Sequence, residues 1–204
     1  MTLQPEFDRS YAAEQLRRSK HPLRRIIKRF YLDNVLRDVH GPTIDFGCGA
    51  GQLLARLPAG SVGIEINPHL VEHLRGEGMN VVAYDAVADN FALNGFRENH
   101  YQTLVISHVL EHFESAADVM HALWRACWRL GIETIVVVVP GPKGYASDAT
   151  HKTFVTELLI EQENLRSCEG FELVRCGYFP VDRKEIGKFF TFHELKLVYA
   201  REAR

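Results

Sequence analysis

The 204-residue chain has only four cysteines, Cys48, Cys127, Cys168 and Cys176, and no two of them are spaced as a pair. Neither a disulfide framework nor a zinc knuckle is expected, and a reducing, cytoplasmic setting follows as the default. Apolar runs stop well short of the roughly 20 residues that a membrane span needs, and no signal-peptide h-region stands near the start. An excess of one charge is lacking too: the formal net charge is −2, with 25% charged and 46% hydrophobic residues, which is ordinary for a globular protein. Repeats and low-complexity segments are absent. What remains is one domain over residues 1–204, an N-terminal helical cap over 1–40 and a core over 41–204, large enough for three layers.

The small net charge is unevenly spread. Residues 1–40 hold nine Lys/Arg against five acids, so they carry +4 and the remainder −6. From Pro22 the residues Leu23, Ile26, Ile27, Phe30, Tyr31, Val35, Leu36 and Val39 recur at spacings of three and four, which makes an apolar helix stripe with a basic opposite face. That helix reads either as a flank of the core with a solvated outer face, or as a lid or basic surface beside a ligand. Its basic residues are interrupted by acids, and nucleic acid is not an expected partner. Residues 1 to about 10 are expected to be loosely ordered.

The organising stretch is Thr43-Ile44-Asp45-Phe46-Gly47-Cys48-Gly49-Ala50-Gly51-Gln52: a short strand, three glycines at alternate positions, and a helix expected from Gln52 to Leu57. Glycine there lets the turn adopt positive φ and lets a ligand lie against the backbone. Strands follow at 61–66, ending near Glu65, at 80–85, ending in Asp85, at 102–107 and at 134–139. Between them come a helix capped by Asn67 and started by Pro68, an irregular stretch over 86–100 and a helix over about 116–130. The unbroken apolar run at 134–139 is that of a parallel strand buried on both faces. A loop over 140–150, a helix over about 156–167 and two alternating segments, 171–176 and 190–199, complete the chain, the last two reading as an antiparallel pair.

Alternating strands and helices predict a doubly wound α/β sheet. Asp45-Phe46-Gly47-Cys48-Gly49-Ala50-Gly51, Glu65, Asp85 and Ser107-His108-Val109-Leu110-Glu111-His112-Phe113 together resemble the class I S-adenosylmethionine-dependent methyltransferases, the small Rossmann-like type with an HVLEHF segment, over residues 43–139. The resemblance implies a mostly parallel seven-stranded sheet with an antiparallel C-terminal strand pair, and S-adenosyl-L-methionine as cofactor. It implies ribose hydroxyls on Glu65, the adenine amino group on Asp85 with a ring nitrogen on the Ala86 N–H, the ligand's ammonium near Asp45, and its methionine portion along Gly47, Gly49 and Gly51. Ser107 closes the strand beside them, where ligands of open α/β sheets lie. A dehydrogenase is disfavoured because Gly51 follows Gly49 by two residues rather than three.

His108 follows the fourth strand and is the expected general base for O-methylation of a small or medium-sized acceptor. Tyr145, Asp148 and His151, in the loop after the fifth strand, are expected at the acceptor, with Tyr145 and His151 as further catalytic candidates. Glu111 and His112 are expected to shape the structure or the substrate site, and His21, His69, His73 and His121 have no assigned role. Asn-Pro-Pro-Tyr and Asp-Pro-Pro-Tyr are absent after strand four, which disfavours a base's exocyclic amine. The acceptor is expected to be a small molecule, or carbohydrate- or lipid-linked. The alternatives are a non-catalytic S-adenosylmethionine-binding module and a metal-assisted RNA 3′-end methyltransferase. That last family's pattern is a Glu, two residues, Glu-His and a later His. Here His108 takes the first position, Glu111-His112 the second and His151 the last, in a strand-to-helix turn. That departure gives no expectation of a metal.

Overall fold

A computed structural model describes residues 8–20 and 22–202; of residues 18–26 it describes the backbone, His21 excepted, and not the side chains. The order is α1 (Arg9–Lys20), α2 (Pro22–Leu36), β1 (Thr43–Phe46), β2 (Val62–Glu65), α3 (Pro68–Gly76), β3 (Val81–Ala83), β4 (Thr103–Ser107), α4 (Ala116–Leu130), β5 (Thr134–Pro140), α5 (Pro142–Tyr145), α6 (Glu157–Gln162), β6 (Ser167–Cys168), β7 (Phe171–Phe179) and β8 (Glu194–Arg201). Short 3-10 turns stand at Leu54–Arg56, Leu110–His112 and Lys184–Lys188. The strands form one sheet in the order β3-β2-β1-β4-β5-β8-β7-β6. Strands β1 to β5 pair in parallel, and β8, β7 and β6 continue antiparallel from β5.

Alternation along β4 and β5 builds the layers. Leu104, Ile106, Ile135, Val137 and Val139 pack against Met120, Leu123, Trp124 and Cys127 of α4, all of them 4% exposed or less. The intervening Val105, Val136 and Val138 face the other way, onto Tyr31, Leu32 and Val35 of α2 and onto Leu53. A strand with apolar residues at every position is stable only between two such layers. Helix α2 is therefore a core layer of the sheet. Phe30, at 65% exposure, leaves the stripe for solvent, and the Leu23 and Ile26 side chains lie outside the described residues.

Three expectations are corrected. The helix over Gln52 to Leu57 is one 3-10 turn, because Pro58 forces Leu57 into an extended conformation at φ −73° and ψ 156°. The expected helix over 156–167 stops at Gln162: Asn164 adopts φ 54°, and Ser167–Cys168 then pairs with β7 as an eighth strand. The sheet thus has eight strands rather than seven. Arg9 already lies in a helix, started by Asp8, whose carboxylate accepts from the N–H groups of Ser10 at 2.8 Å and Tyr11 at 3.0 Å, and residues 1–7 lie outside the described residues.

Asp38, 5% exposed and just past α2, accepts from Lys196 Nζ of β8 at 2.8 Å and from Arg175 of β7, while Lys196 also donates to the Asn34 carbonyl at 3.0 Å. These contacts fasten α2 to the antiparallel half of the sheet. Removing one member of a buried pair strands the other in low dielectric. Asp38→Ala is expected to lower stability by about 3–5 kcal/mol, read from the urea midpoint. Lys196→Met, which leaves Asp38 its Arg175 partner, should cost clearly less, and equal losses would contradict the assignment.

Candidate active site

The sheet reverses direction of winding between β1 and β4, and the crevice that opens at their carboxyl ends is where such folds hold ligands. Residues 47–51 enter it. Gly47, Gly49 and Gly51 have φ of 71°, 53° and 70°. Their neighbours differ. A Cβ on Gly47 would lie 2.6 Å from Val109, and one on Gly51 2.6 Å from Leu74 and 2.9 Å from the Met79 sulfur, so these two let the turn pack tightly. A Cβ on Gly49 would meet nothing within 4 Å, so Gly49 faces open space.

Glu65 joins the glycine turn to its surroundings. One carboxylate oxygen accepts from the Gly49 N–H at 2.9 Å and the other from the Asn67 N–H at 2.9 Å. The Asn67 side chain caps α3 at His69 and Leu70 and also donates to the Asp8 carbonyl at 3.1 Å. Burial raises the Glu65 pKa, and hydrogen bonds from Asn67, Gly49 and Ile66 oppose the rise. Beyond β3 the Tyr84 N–H donates to the Glu65 carbonyl at 3.0 Å. The next residue, Asp85, turns the chain by accepting from the Ala88 N–H at 3.0 Å, with Ala86 half-buried beside it. Glu65 is thus bonded to the turn at Gly49, and Asp85 and Ala86 follow the end of β3, the strand that pairs with β2 at Glu65.

Asp45 is 2% exposed, and its Oδ2 has no hydrogen-bond partner among the described residues. Burial pushes its pKa up to about 7, opposed by the Lys28 charge and reinforced by Glu65. Lys28 lines a cavity of about 370 Å³ together with Arg29, Leu32, Gln52 and Arg56. An unsatisfied carboxylate thus stands near a basic groove between α2 and the turn after the glycines.

Past β4 the sequence candidates assemble with two residues that were not foreseen. His108 adopts φ 56°, a strained conformation for a side-chain-bearing residue. Its Nε2 lies 2.9 Å from Glu194 Oε1 and its Nδ1 3.3 Å from Glu111 Oε1. Burial alone would lower its pKa, but the Glu194 and Glu111 carboxylates outweigh that and push it up to about 10. Both ring nitrogens of the residue expected as general base thus face carboxylates, which favour its protonated form. Tyr31 of α2 places its hydroxyl 2.5 Å from Ser107 Oγ and its ring 5.9 Å from the His108 ring. Glu194 was legible only as an acid within the alternating segment 190–199, whose strand in fact begins at Glu194. Antiparallel pairing sets it opposite Pro140, at the carboxyl end of β5.

The loop after β5 folds onto this cluster. The N–H groups of Lys152 and Thr153 both donate to the Glu111 carbonyl, at 2.7 and 3.1 Å. His151 stacks on Tyr145 at 5.3 Å and meets His112 edge-on at 4.9 Å. Asp148 holds the Thr150 hydroxyl at 2.7 Å and lowers toward a more acidic pKa, burial opposing and the Thr150 bonds prevailing. Tyr145, Asp148 and His151 therefore gather around Glu111 and His112. Among the described residues no helix is long and apolar enough to cross a membrane.

Residues 44–132 match the family model described as a methyltransferase domain. No match was found among curated proteins. Among solved structures the chain is similar to a SAM-dependent methyltransferase from Archaeoglobus fulgidus, at 18% identity and a TM-score of 0.67, over 95% of this chain and 100% of that one. It is similar also to magnesium protoporphyrin IX methyltransferase from Synechocystis, solved with SAH bound, at 16% identity and a TM-score of 0.66, over 97% of each chain. A putative methyltransferase in complex with the Trm112 activator of Haloferax volcanii aligns at 13% identity and a TM-score of 0.69, over 99% of this chain and 100% of that one. At such identities the structural likeness is one of fold. The sheet order is that of these methyltransferase structures, and the matched methyltransferase domain holds the glycine turn, Glu65, Asp85 and the segment from Ser107 to Phe113.

Proposed function

We propose that the chain binds S-adenosylmethionine in the crevice beside Gly49 and transfers its methyl group to an oxygen of a small or medium-sized acceptor. The observation that carries this reading is the bond from Gly49 to Glu65, which puts an acidic strand end and an uncovered backbone turn on one rim. Glu65 keeps further lone pairs for the ribose hydroxyls, since each carboxylate oxygen uses one on a backbone N–H. Asp85 and the Ala86 N–H suit the adenine edge. The unpaired Asp45 Oδ2 suits an ammonium, and the basic groove beside Lys28 suits the adjoining carboxylate, so the two ends of an amino-acid moiety meet opposite charges.

When bound, the cofactor supplies a methyl group already activated on a sulfonium. What is left to the protein is alignment of nucleophile, carbon and leaving sulfur, and positioning of that kind supplies about 7–11 kcal/mol of barrier lowering. Ser107, His108, Tyr145 and His151 wall the acceptor end. His108, held between Glu194 and Glu111, orients the acceptor there. Hydroxyl and imidazole groups around this end, and Ser107-His108-Val109-Leu110 where an amine-methylating motif would stand, favour oxygen over a base's exocyclic amine. A small molecule or a carbohydrate- or lipid-linked acceptor fits a site walled by one loop and one helix better than a polymer does.

Calorimetric titration with S-adenosylmethionine is expected to give a one-to-one complex that Glu65→Gln weakens by about tenfold or more, as the loss of hydrogen bonds to a charged acceptor would do. Unchanged affinity would remove Glu65 from the site. Cofactor affinity should also follow the Asp45 carboxyl. With its pKa at about 7 in the free protein, a ligand ammonium favours the ionised form, so affinity falls by up to about tenfold per unit as pH drops below 7. Asp45→Asn should flatten that profile, and a profile unchanged by the substitution would separate Asp45 from the ligand. Methyl transfer to a panel of acceptors should yield ethers or esters, and a panel yielding N-methyl products alone would overturn the choice of oxygen.

A further inference from the structure

We propose that Glu111, His112 and His151 bind a divalent first-row transition-metal ion on the acceptor side of the crevice. One ligand nitrogen of each histidine and one Glu111 oxygen all lie within 4.8 Å of one another. Glu111 is 0% exposed, and neither of its carboxylate oxygens has a hydrogen-bond partner among the described residues. His108 Nδ1, 3.3 Å away, is close enough for an ion pair without being aligned as a hydrogen bond. Buried carboxylate oxygens without hydrogen bonds are rare because their desolvation goes uncompensated.

The two histidines are held in the tautomers that a metal needs. His151 Nδ1 lies 2.8 Å from the Tyr145 carbonyl, which can only accept, so the proton sits on Nδ1. Its Nε2, 3.8 Å from Glu111 Oε1, is left with the lone pair. Thr150 spends its hydroxyl proton on Asp148 Oδ1 at 2.7 Å, so at 3.0 Å it accepts from His112 Nδ1 and again leaves Nε2 the lone pair. Two imidazole lone pairs beside a carboxylate that lacks hydrogen bonds among the described residues and has His108 as an ion-pair neighbour give a donor set that a shared cation would hold together. Histidine ligands steered by a carbonyl or hydroxyl on the far nitrogen are the usual outer layer of a metal site.

Backbone bonds keep the set together. The Glu111 carbonyl accepts from Lys152 and Thr153, so the segment carrying His151 is fixed to the turn carrying Glu111 and His112. Two imidazoles and one carboxylate select zinc, cobalt, manganese or iron(II) over magnesium or calcium, which prefer oxygen ligands throughout. Three protein ligands leave positions open, and an acceptor oxygen would take one of them. That use rests on the methyltransferase reading; the binding itself does not.

The test is metal binding by the full chain without S-adenosylmethionine, using Zn²⁺ in calorimetry and Co²⁺ in visible absorption. Expected are one ion per chain, a Co²⁺ ligand-field spectrum, and binding at least tenfold weaker in Glu111→Gln and His151→Ala. Thr150→Val, which removes only the outer partner of His112, should weaken binding by about tenfold. His121→Ala, a histidine paired with Glu169 on α4, should leave it unchanged. Circular dichroism confirms that each variant is folded, and Thr150→Val carries the test should the others unfold. Binding absent, or equal in Thr150→Val and the parent, would overturn the site, as would Mg²⁺ competing on equal terms with Zn²⁺. Loss of metal binding with intact cofactor binding in the Glu111 variant would keep the two readings apart.

Discussion

The Glu65 carboxylate is the constraint on which the crevice depends. Its two oxygens take backbone N–H groups from Gly49 and Asn67, 16 and 2 residues away, and so fix the glycine turn to the start of α3. The Gly47 and Cys48 N–H groups donate to the Ile64 carbonyl and the Gly51 N–H to the Cys48 carbonyl, and Glu65 takes the Gly49 N–H that lies between them. Burial disfavours the charged carboxylate, and the backbone bonds restore it. The acid that suits the ribose therefore also holds the empty side of Gly49 open. Asn67 extends the same network to Asp8, which brings the first helical turn of the chain to this corner.

The acceptor end is built differently. Tyr31, His108, Glu194 and the segment 145–153 come from four remote parts of the chain, and topology alone brings them together. Helix α2 delivers Tyr31 because its apolar stripe must cover Val105, Val136 and Val138. Strand β8 delivers Glu194 because it runs antiparallel to β5, so its beginning meets the carboxyl ends of the parallel strands. Helix α2 is thus a core layer whose Tyr31 also meets Ser107 and His108 at the end of β4.

The succession of strands and helices along the chain, the glycine turn and the acid closing β2 were legible because each rests on local chemistry: β-branched runs, glycines at alternate positions, Asn-Pro opening a helix. The strand expected over 80–85 ends at Ala83, two residues before Asp85. The short helix after Gly51 was misread because periodicity ignored Pro58. The strand at Ser167–Cys168 was missed because two residues carry no period, and Asn164 was not recognised as a helix stop. The electrical state of His108 was not legible. That state depends on Glu194, 86 residues away, and no spacing rule reaches so far. The same holds for His112 and His151, where the sequence pattern argued against a metal and the hydrogen bonds of Thr150 and Tyr145 argue for one.

These two constructions explain how the fold can keep one cofactor and vary its chemistry. The cofactor rim is made largely of backbone and short side chains fixed by strand ends, so it tolerates little change without loss of the turn. The proposed acceptor wall is made of side chains from α2, the loop after β5 and the start of β8, and of these only α2 packs on the segment after the glycine turn, through Leu53. On the proposed function, substitution there would alter which acceptor is presented to the methyl group while leaving Glu65 and Gly49 in place. Solved chains of this fold at 13–18% identity align over nearly their whole length, which shows how much of the sequence the architecture leaves free. On the function proposed above, the identity of the acceptor would be set by Tyr31, His108, Glu194 and the 145–153 segment, and the matched domain at 44–132 includes only His108 among them.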